Sequence, residues 1–251
     1  MSDQGEQERP SVADDALFRP VRAGNAFEDT VARLLQAIRL GIVAPGEALP
    51  PERDLATRFA VSRDTVREAI RSLADAGFVV SRRGRYGGTF VSDTPPPRGV
   101  VNAVEGVAAG RGFSVAEIED VLGLREILET GAARASAART LSSSEREMLW
   151  ARRGETAEGS AADYRRLDSR LHLTIGELAG SPSLVPLIAD NRMRVNELLD
   201  RIPLLEPNIA HSNQQHEAIV IAILTGDTDL AERAMREHLD GSAALLRGFL
   251  E

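Results

Sequence analysis

The sequence predicts a mainly α protein in two parts, an N-terminal helix-turn-helix unit closed by a β hairpin and a C-terminal all-α helical bundle. Three observations carry this. Two short apolar-periodic segments lie on either side of Ala60-Val61-Ser62, and two β-branched and aromatic runs then flank a glycine-rich stretch. A period near 3.6 followed by short runs around glycine reads as helix, turn, helix, hairpin. Pro95-Pro96-Pro97 breaks every pattern, since consecutive prolines favour a stiff extended segment. Beyond it the chain holds almost no β-like run and mostly long helical periods, as a helix bundle requires. The expected divisions are a mobile tail over 1–24, a winged helix-turn-helix over 25–92, a linker over 93–99 and a bundle over 100–251.

The tail lacks apolar periodicity and carries Gly, Pro, Ser and acidic residues, a composition that buries too little to order itself. From Phe27 the series Val31, Leu34, Leu35, Ile38 follows helical spacing to about Gly41, which gives a scaffold helix. Pro45-Gly46 then makes a turn. Leu55, Ala56 and Phe59 mark a short helix for which Pro51 suits the first position. Ser62 is a good N-cap for the next helix, whose Val66, Ala69, Ile70 and Leu73 turn inward. Arg63, Asp64, Thr65 and Arg67 remain outside near its start, and Arg63, Arg67 and Arg71 share one face. Guanidinium forks match both phosphates and the guanine edge, although the same spacing also describes a solvated helix face. Runs at 78–81 and 89–92 form a hairpin whose tip holds Arg82, Arg83, Gly84 and Arg85. Small residues let backbone approach a phosphate while the arginines supply charge.

Leu49-Pro50-Pro51-Glu52-Arg53-Asp54-Leu55-Ala56, Val61-Ser62-Arg63-Asp64-Thr65-Val66-Arg67-Glu68-Ala69 and Gly87-Gly88-Thr89-Phe90-Val91 together resemble the winged helix-turn-helix of GntR-superfamily transcription regulators. Three linked motifs in order are specific. The resemblance implies binding of double-stranded operator DNA through Arg53, Ser62, Arg63, Asp64, Thr65, Arg67, Arg83 and Gly84. Arg63 and Arg67 would reach bases or phosphates, and Arg53 and the tip would lie on the backbone. One departure is Pro51, where the family often has a capping serine.

The composition fits this reading once it is divided along the chain. The net charge is −8, yet residues 25–98 hold 11 Arg against 9 acidic residues while 99–251 hold 16 against 24. A local basic footprint, not a basic chain, is what specific DNA affinity needs. The 30 basic residues are all arginine and there is no cysteine. That excludes a phosphate loop of the Walker type, Schiff-base lysines, thiolate metal sites and disulfides, and it fits a reducing cytoplasm. No segment approaches a membrane span and the first residues do not form a secretory signal.

The bundle is expected to hold helices over 100–109, 114–139, 142–158, 160–179, 182–201, 206–225 and 228–249. All four histidines lie in it. Asp168 and His172 are four apart on one helix, His216 lies in the next-to-last helix and His238 in the last, so three helices could deliver ligands to one point. Neutral imidazoles with one carboxylate suit a borderline divalent ion, zinc first and nickel, manganese or iron next. Spacing alone equally describes three unrelated histidines bonded to their neighbours.

Leu124-Arg125-Glu126-Ile127-Leu128-Glu129, Asp168-Ser169-Arg170-Leu171-His172, Gly180-Ser181-Pro182-Ser183-Leu184, His216-Glu217-Ala218-Ile219 and Ala234-Met235-Arg236-Glu237-His238-Leu239 resemble the FCD effector domain of the FadR-like branch. The resemblance implies that Asp168, His172, His216 and His238 hold a metal beside a pocket for a small carboxylated metabolite. Arg125 stands where the family often has a ligand-facing arginine, Leu171 stands where it more often has Phe, and His211 falls outside the motif as a surface residue. The implied protein is a ligand-responsive transcription regulator, and a homodimer on a palindromic operator follows from the small DNA surface one winged unit buries. The alternative is a metal-dependent hydrolase or lyase fused to a DNA-binding domain. His216-Glu217 superficially suggests a zinc-protease helix, but Val220 stands where the second histidine would be needed.

Overall fold

The computed structural model describes residues 20–21, 23–39, 42–84, 87–96 and 113–250. The tail except its last residues, the linker from 97, a helix over 100–109, and Arg85 and Tyr86 of the hairpin tip lie outside the described residues. The contacts divide between two compact units, Met1–Pro96 and Pro97–Glu251. Together they have the mainly α fold class expected.

The first unit begins with a single 3-10 turn, Ala23–Asn25, leading into α1, Ala26–Arg39. Val31, Leu34, Leu35 and Ile38 of α1 are buried because their spacing places them on one stripe. Helix α2, Glu52–Phe59, and α3, Arg63–Asp75, follow, and both α1 and α2 pack on α3. Pro51 occupies the N-cap rather than the first helical position and makes no side-chain bond. Its carbonyl instead accepts from Asp54 and Leu55. The turn between α2 and α3 contains Ala60 in the left-handed region, φ 56°, its N–H bonded back to Ala56 and Thr57. That costs a non-glycine residue about 1–2 kcal/mol and gives the abrupt change of direction between the two helices. Ser62 caps α3 by accepting from the Thr65 amide.

Strands β1, Val79–Arg82, and β2, Gly88–Val91, pair antiparallel, with Val79 opposite Val91 and Arg82 opposite Gly88. One pairing was not foreseen. The segment after the 45–46 turn lies along the other edge of β2, with Leu49 donating to Thr89 at 2.8 Å, Val91 to Glu47 at 2.9 Å and a bridge between Ala48 and Phe90. Glu47-Ala48-Leu49 has no β-branched residue to signal a strand; the pairing exists because β2 offers it a free edge.

The second unit contains α4, Val115–Ala137; α5, Ser143–Glu158; α6, Tyr164–Leu178; α7, Leu184–Leu199; α8, Glu206–Thr225; and α9, Thr228–Leu250. Capping boxes at Ser114/Glu117 and Ser142/Glu145 start α4 and α5 by satisfying orphan amides, and Gly226 at φ 78° ends α8. Helix α4 packs against α6, α7, α8 and α9, so it is buried over much of its circumference. Leu128, Leu149, Leu171, Ile175, Ile219, Ile223, Met235 and Leu239 lie in one apolar cluster around it. At Gly176 a Cβ would meet Ile188 Cδ1 at 2.7 Å; the missing side chain lets α7 approach α6 one turn beyond His172. No helix among the described residues is long and apolar enough to cross a membrane.

Candidate functional site

The bundle brings four polar side chains together at one buried point. Asp168 and His172 come from α6, His216 from α8 and His238 from α9, and one ligand atom from each lies within 4.8 Å of all the others. Asp168 Oδ1 is 3.2 Å from His216 Nε2 and 3.6 Å from His172 Nε2, and the Nε2 atoms of His216 and His238 are 3.3 Å apart. Spacing along α6 puts Asp168 and His172 on one face. What aligns them with α8 and α9 is the shared packing of α4 and the apolar cluster below.

A second set of side chains holds these four. His172 Nδ1 lies 2.7 Å from Glu129 Oε2, close but bent away from hydrogen-bond geometry, so that both ring nitrogens of His172 lack an aligned partner. His238 Nδ1 faces Gln215 Oε1 at 3.3 Å, which favours the Nδ1–H tautomer and leaves Nε2 with its lone pair toward the cluster. Arg192, fully buried on α7, donates through Nη2 to Asp168 Oδ2. Arg125 lies in the interior on α4, with Nε 3.4 Å from Glu129 Oε1 and Nη1 donating to Ser242 Oγ at 2.8 Å. It is therefore within one turn of the group that backs His172, and not on the helix surface.

The electrostatics follow from this arrangement. Burial disfavours ionisation of Asp168 and Glu129, but Arg192 and His172 for Asp168, and Arg125, His172 and Arg192 for Glu129, outweigh it and hold both carboxyls below their ordinary range. Burial lowers His216, with Asp168 opposing, and lowers His238 further, with His216 and His172 adding to the effect. The site thus favours two carboxylates and two guanidiniums beside neutral His216 and His238, a balanced set.

Those residues fit a divalent ion. An ion with four ligands at about 2.0–2.2 Å sets its ligand atoms roughly 3.3–3.6 Å apart when tetrahedral, close to the 3.2, 3.3 and 3.6 Å found here. Buried imidazole nitrogens without aligned partners are costly unless something accepts their lone pairs. Glu129 and Gln215 stand behind His172 and His238 as outer partners orient metal-bound imidazoles. Sequence reading missed both, and Arg192. Glu129 lies in a stretch quoted for its resemblance, and its i, i+4 relation to Arg125 was a usable signal, but nothing in the sequence joins Arg192 to Asp168. His211 is only partly exposed.

The other expected site residues lie on the winged unit. Arg63, Asp64 and Arg67 are exposed along the first turns of α3, and Arg83 and Gly84 are exposed at the hairpin tip. Gly84 has φ 113°, a conformation side chains rarely adopt. Arg67 is held by Asp64 at 2.9 Å and Glu52 at 3.4 Å, and Arg53 Nε lies 3.2 Å from Asp54. Ser62 and Thr65 are engaged with each other in the cap. Arg82 lies over the Phe90 ring, which steadies the base of the tip.

A helix-turn-helix with a basic hairpin, joined in one chain to a helical bundle with a buried polar centre, has the domain composition of a transcription regulator. Residues 27–91 match the family described as bacterial regulatory proteins, gntR family, and residues 120–241 match the FCD domain. The chain belongs to the GntR family of bacterial regulatory proteins and carries an FCD domain, a pairing consistent with the FadR-like branch. It is a regulator of transcription rather than an enzyme. A regulatory protein named for the L-lactate dehydrogenase operon in Escherichia coli K12 is 29% identical over 243 residues, covering 94% of this chain and 90% of its own. The HTH-type transcriptional repressor NanR of E. coli K12 is 27% identical over 259 residues, covering 98% and 94%. RmpR of Mycobacterium gastri, named as an HTH-type transcriptional regulator, is 27% identical over 243 residues, covering 92% and 83%.

Proposed function

We propose that the bundle senses a small carboxylated metabolite held beside a divalent ion, and that the liganded state alters operator binding by a homodimer. The observation that carries this is the convergence of Asp168, His172, His216 and His238 from three helices within 4.8 Å, buried and backed by Glu129, Gln215 and Arg192. When bound, the ion would supply two positive charges and a coordination position for an anion, with zinc first and nickel, manganese or iron next for this nitrogen and oxygen donor set. The chain's own residues near it are charge-balanced, so such an ion leaves the site wanting an anion. Arg125 is the second clamp: a guanidinium fork suits a carboxylate, and it is buried beside Glu129, which backs His172, and Ser242. On the winged unit, Arg63 and Arg67 read operator DNA, Ser62, Asp64 and Thr65 hold the start of the reading helix, and Arg53, Arg83 and Gly84 rest on the backbone. The named relative of the L-lactate dehydrogenase operon is consistent with a carboxylate as effector.

The test is effector titration of wild type, chelated protein and His216→Ala, with metal content and folded state checked in each. Chelation and His216→Ala should both weaken the effector. Equal affinity in all three well-folded samples would remove the ion as effector anchor.

A further inference from the structure

The arginine in the second turn of the reading helix α3 is not a bare cation. Arg67 donates through Nη1 to Asp64 Oδ1 at 2.9 Å and through Nη2 to Glu52 Oε2 at 3.4 Å, so one guanidinium stands between two carboxylates. None of these groups is buried: the side chains of Arg67, Asp64 and Glu52 are 60%, 84% and 38% exposed. Exposed ion pairs of this kind contribute little to stability. Nor is Asp64 needed as the cap, because Ser62 already accepts from the Thr65 amide, and the helix dipole favours an exposed acid there only weakly.

What the acids change is the kind of DNA contact open to Arg67. A phosphate brought against this guanidinium would set its charge beside two carboxylates, whereas a base edge carries no net charge. Of the five N–H donors of a guanidinium, one goes to each acid, and those left are enough for the O6 and N7 acceptors of guanine. Asp64 meanwhile uses only Oδ1, and Oδ2 stays open on a side chain that faces solvent. A carboxylate offered to the major groove accepts only, and the donors there are the amino groups of cytosine and adenine. Adenine sets its N7 acceptor beside that amino group, where it repels a carboxylate, and cytosine does not. Asp64 precedes Arg67 by three residues, about 4.5 Å along the helix, close to the roughly 3.4 Å between successive base pairs. We propose that Asp64 is a specificity-determining residue, accepting from the amino group of a cytosine in the base pair next to the guanine that Arg67 reads. The inference rests on the operator reading above and adds to the place of Asp64 at the helix start: the carboxylate that steadies Arg67 also selects a second base. Such an acid lowers affinity for every duplex by repelling phosphates, and only a sequence with cytosine in place recovers the loss.

The test is selection from random duplexes by the full-length protein and by Asp64→Asn, Asp64→Ala and Arg67→Ala, with thermal unfolding checked for each. Fluorescence anisotropy at one salt concentration then gives affinities for the enriched duplex, its single-pair variants and a non-operator duplex. Arg67→Ala locates the guanine. At the adjoining pair the wild type should favour cytosine at least about fivefold. Asp64→Ala should lose that preference, and Asp64→Asn should move it to adenine, whose N6 and N7 suit an amide. The guanine preference should persist in both. Binding of the non-operator duplex should rise in both, because a charge that repels phosphates is gone. A wild-type profile kept by both Asp64 variants, or a loss confined to the guanine, overturns the cytosine contact and leaves the operator reading standing. An equal fall on operator and non-operator DNA overturns it too and makes Asp64 a helix-stabilising acid only. An unaltered base profile in Arg67→Ala overturns Arg67 as a base reader and this inference with it, and no sequence enriched by the wild type overturns the operator reading itself.

Discussion

At the scale of single residues, the buried charges around the cluster decide its response to pH and to substitution. Burial lowers the proton affinity of His216 and His238 in the folded chain, while unfolded histidine titrates near about pH 6.5. Below that value the unfolded state binds more protons, so stability rises with pH across the window. The contribution is fully present above about pH 6.5 and is lost as pH falls through that value toward the depressed folded ones. The lowered carboxyls Asp168 and Glu129 act in the same sense further down, present above about pH 4 and lost below it. Metal-stripped protein should therefore unfold at lower urea at about pH 5.5 than at about pH 7.5; the reverse order would contradict it. It also follows that protons compete with an ion for these two imidazoles only at pH values lower than those of free histidine. Glu129 is the residue with most to lose, because it compensates Arg125 and Arg192 and backs His172. Glu129→Gln leaves two buried guanidiniums short of a counter-charge, a change that costs about 3–5 kcal/mol in stability. Loss of such an outer partner lowers metal affinity about 10–100-fold. Denaturant unfolding and zinc titration against a competing chelator read the two effects separately, and wild-type values in both would remove Glu129 from the centre.

At the scale of elements, the reading helix α3 depends on its cap and on the turn before it. Ser62 supplies the acceptor for the Thr65 amide, so Ser62→Ala should destabilise the winged unit by about 1 kcal/mol. Arg67 is held by Glu52 and Asp64, an arrangement that limits the guanidinium to few orientations before DNA arrives. Arg67→Ala should cost about 1–3 kcal/mol of affinity for an operator enriched by selection and relax one base position. A uniform loss over all sequences with a shallower salt slope would make it a phosphate contact, and no change would take it out of the interface. The helices were legible in the sequence because periodic apolar residues such as Val66, Ala69, Ile70 and Leu73 declare both an element and its inner face. The strand-like segment at 47–49 was not, because its pairing comes from the free edge of β2 and not from its own residues. The four clustered residues Asp168, His172, His216 and His238 were legible as types at plausible spacing. Their convergence, and the arrival of Arg192 from α7, depend on how four helices pack about α4, and no local pattern encodes that.

At the scale of the whole molecule, the division of charge sets how the protein must meet DNA. The 25–98 segment has a small positive balance and the remainder of the chain is acidic, so the bundle repels a phosphate backbone while the winged unit alone attracts it. One small unit with a handful of arginines makes few phosphate contacts, so its affinity for DNA is weak and only modestly dependent on salt. Two copies related by a two-fold axis square the specificity of each half-site and place the reading helices about one helical turn, 34–36 Å, or a multiple of it apart. A homodimer is therefore expected in solution, with the bundle as its main contact and a palindromic or near-palindromic operator as its target. Sedimentation equilibrium measures the first and selection from random duplexes the second. If a carboxylate then changes the spacing of the two winged units, it acts on the bound dimer as a whole. Operator affinity should change when ligand is added to metal-loaded protein, and that change should vanish after chelation even though the dimer persists. By linkage, operator DNA must shift ligand affinity by the same factor, which gives an independent check in one titration. A strictly monomeric protein that holds an isolated half-site with full affinity would remove the dimer. An intact dimer whose operator affinity ignores ligand in both metal states would leave the bundle an assembly module with no sensing role.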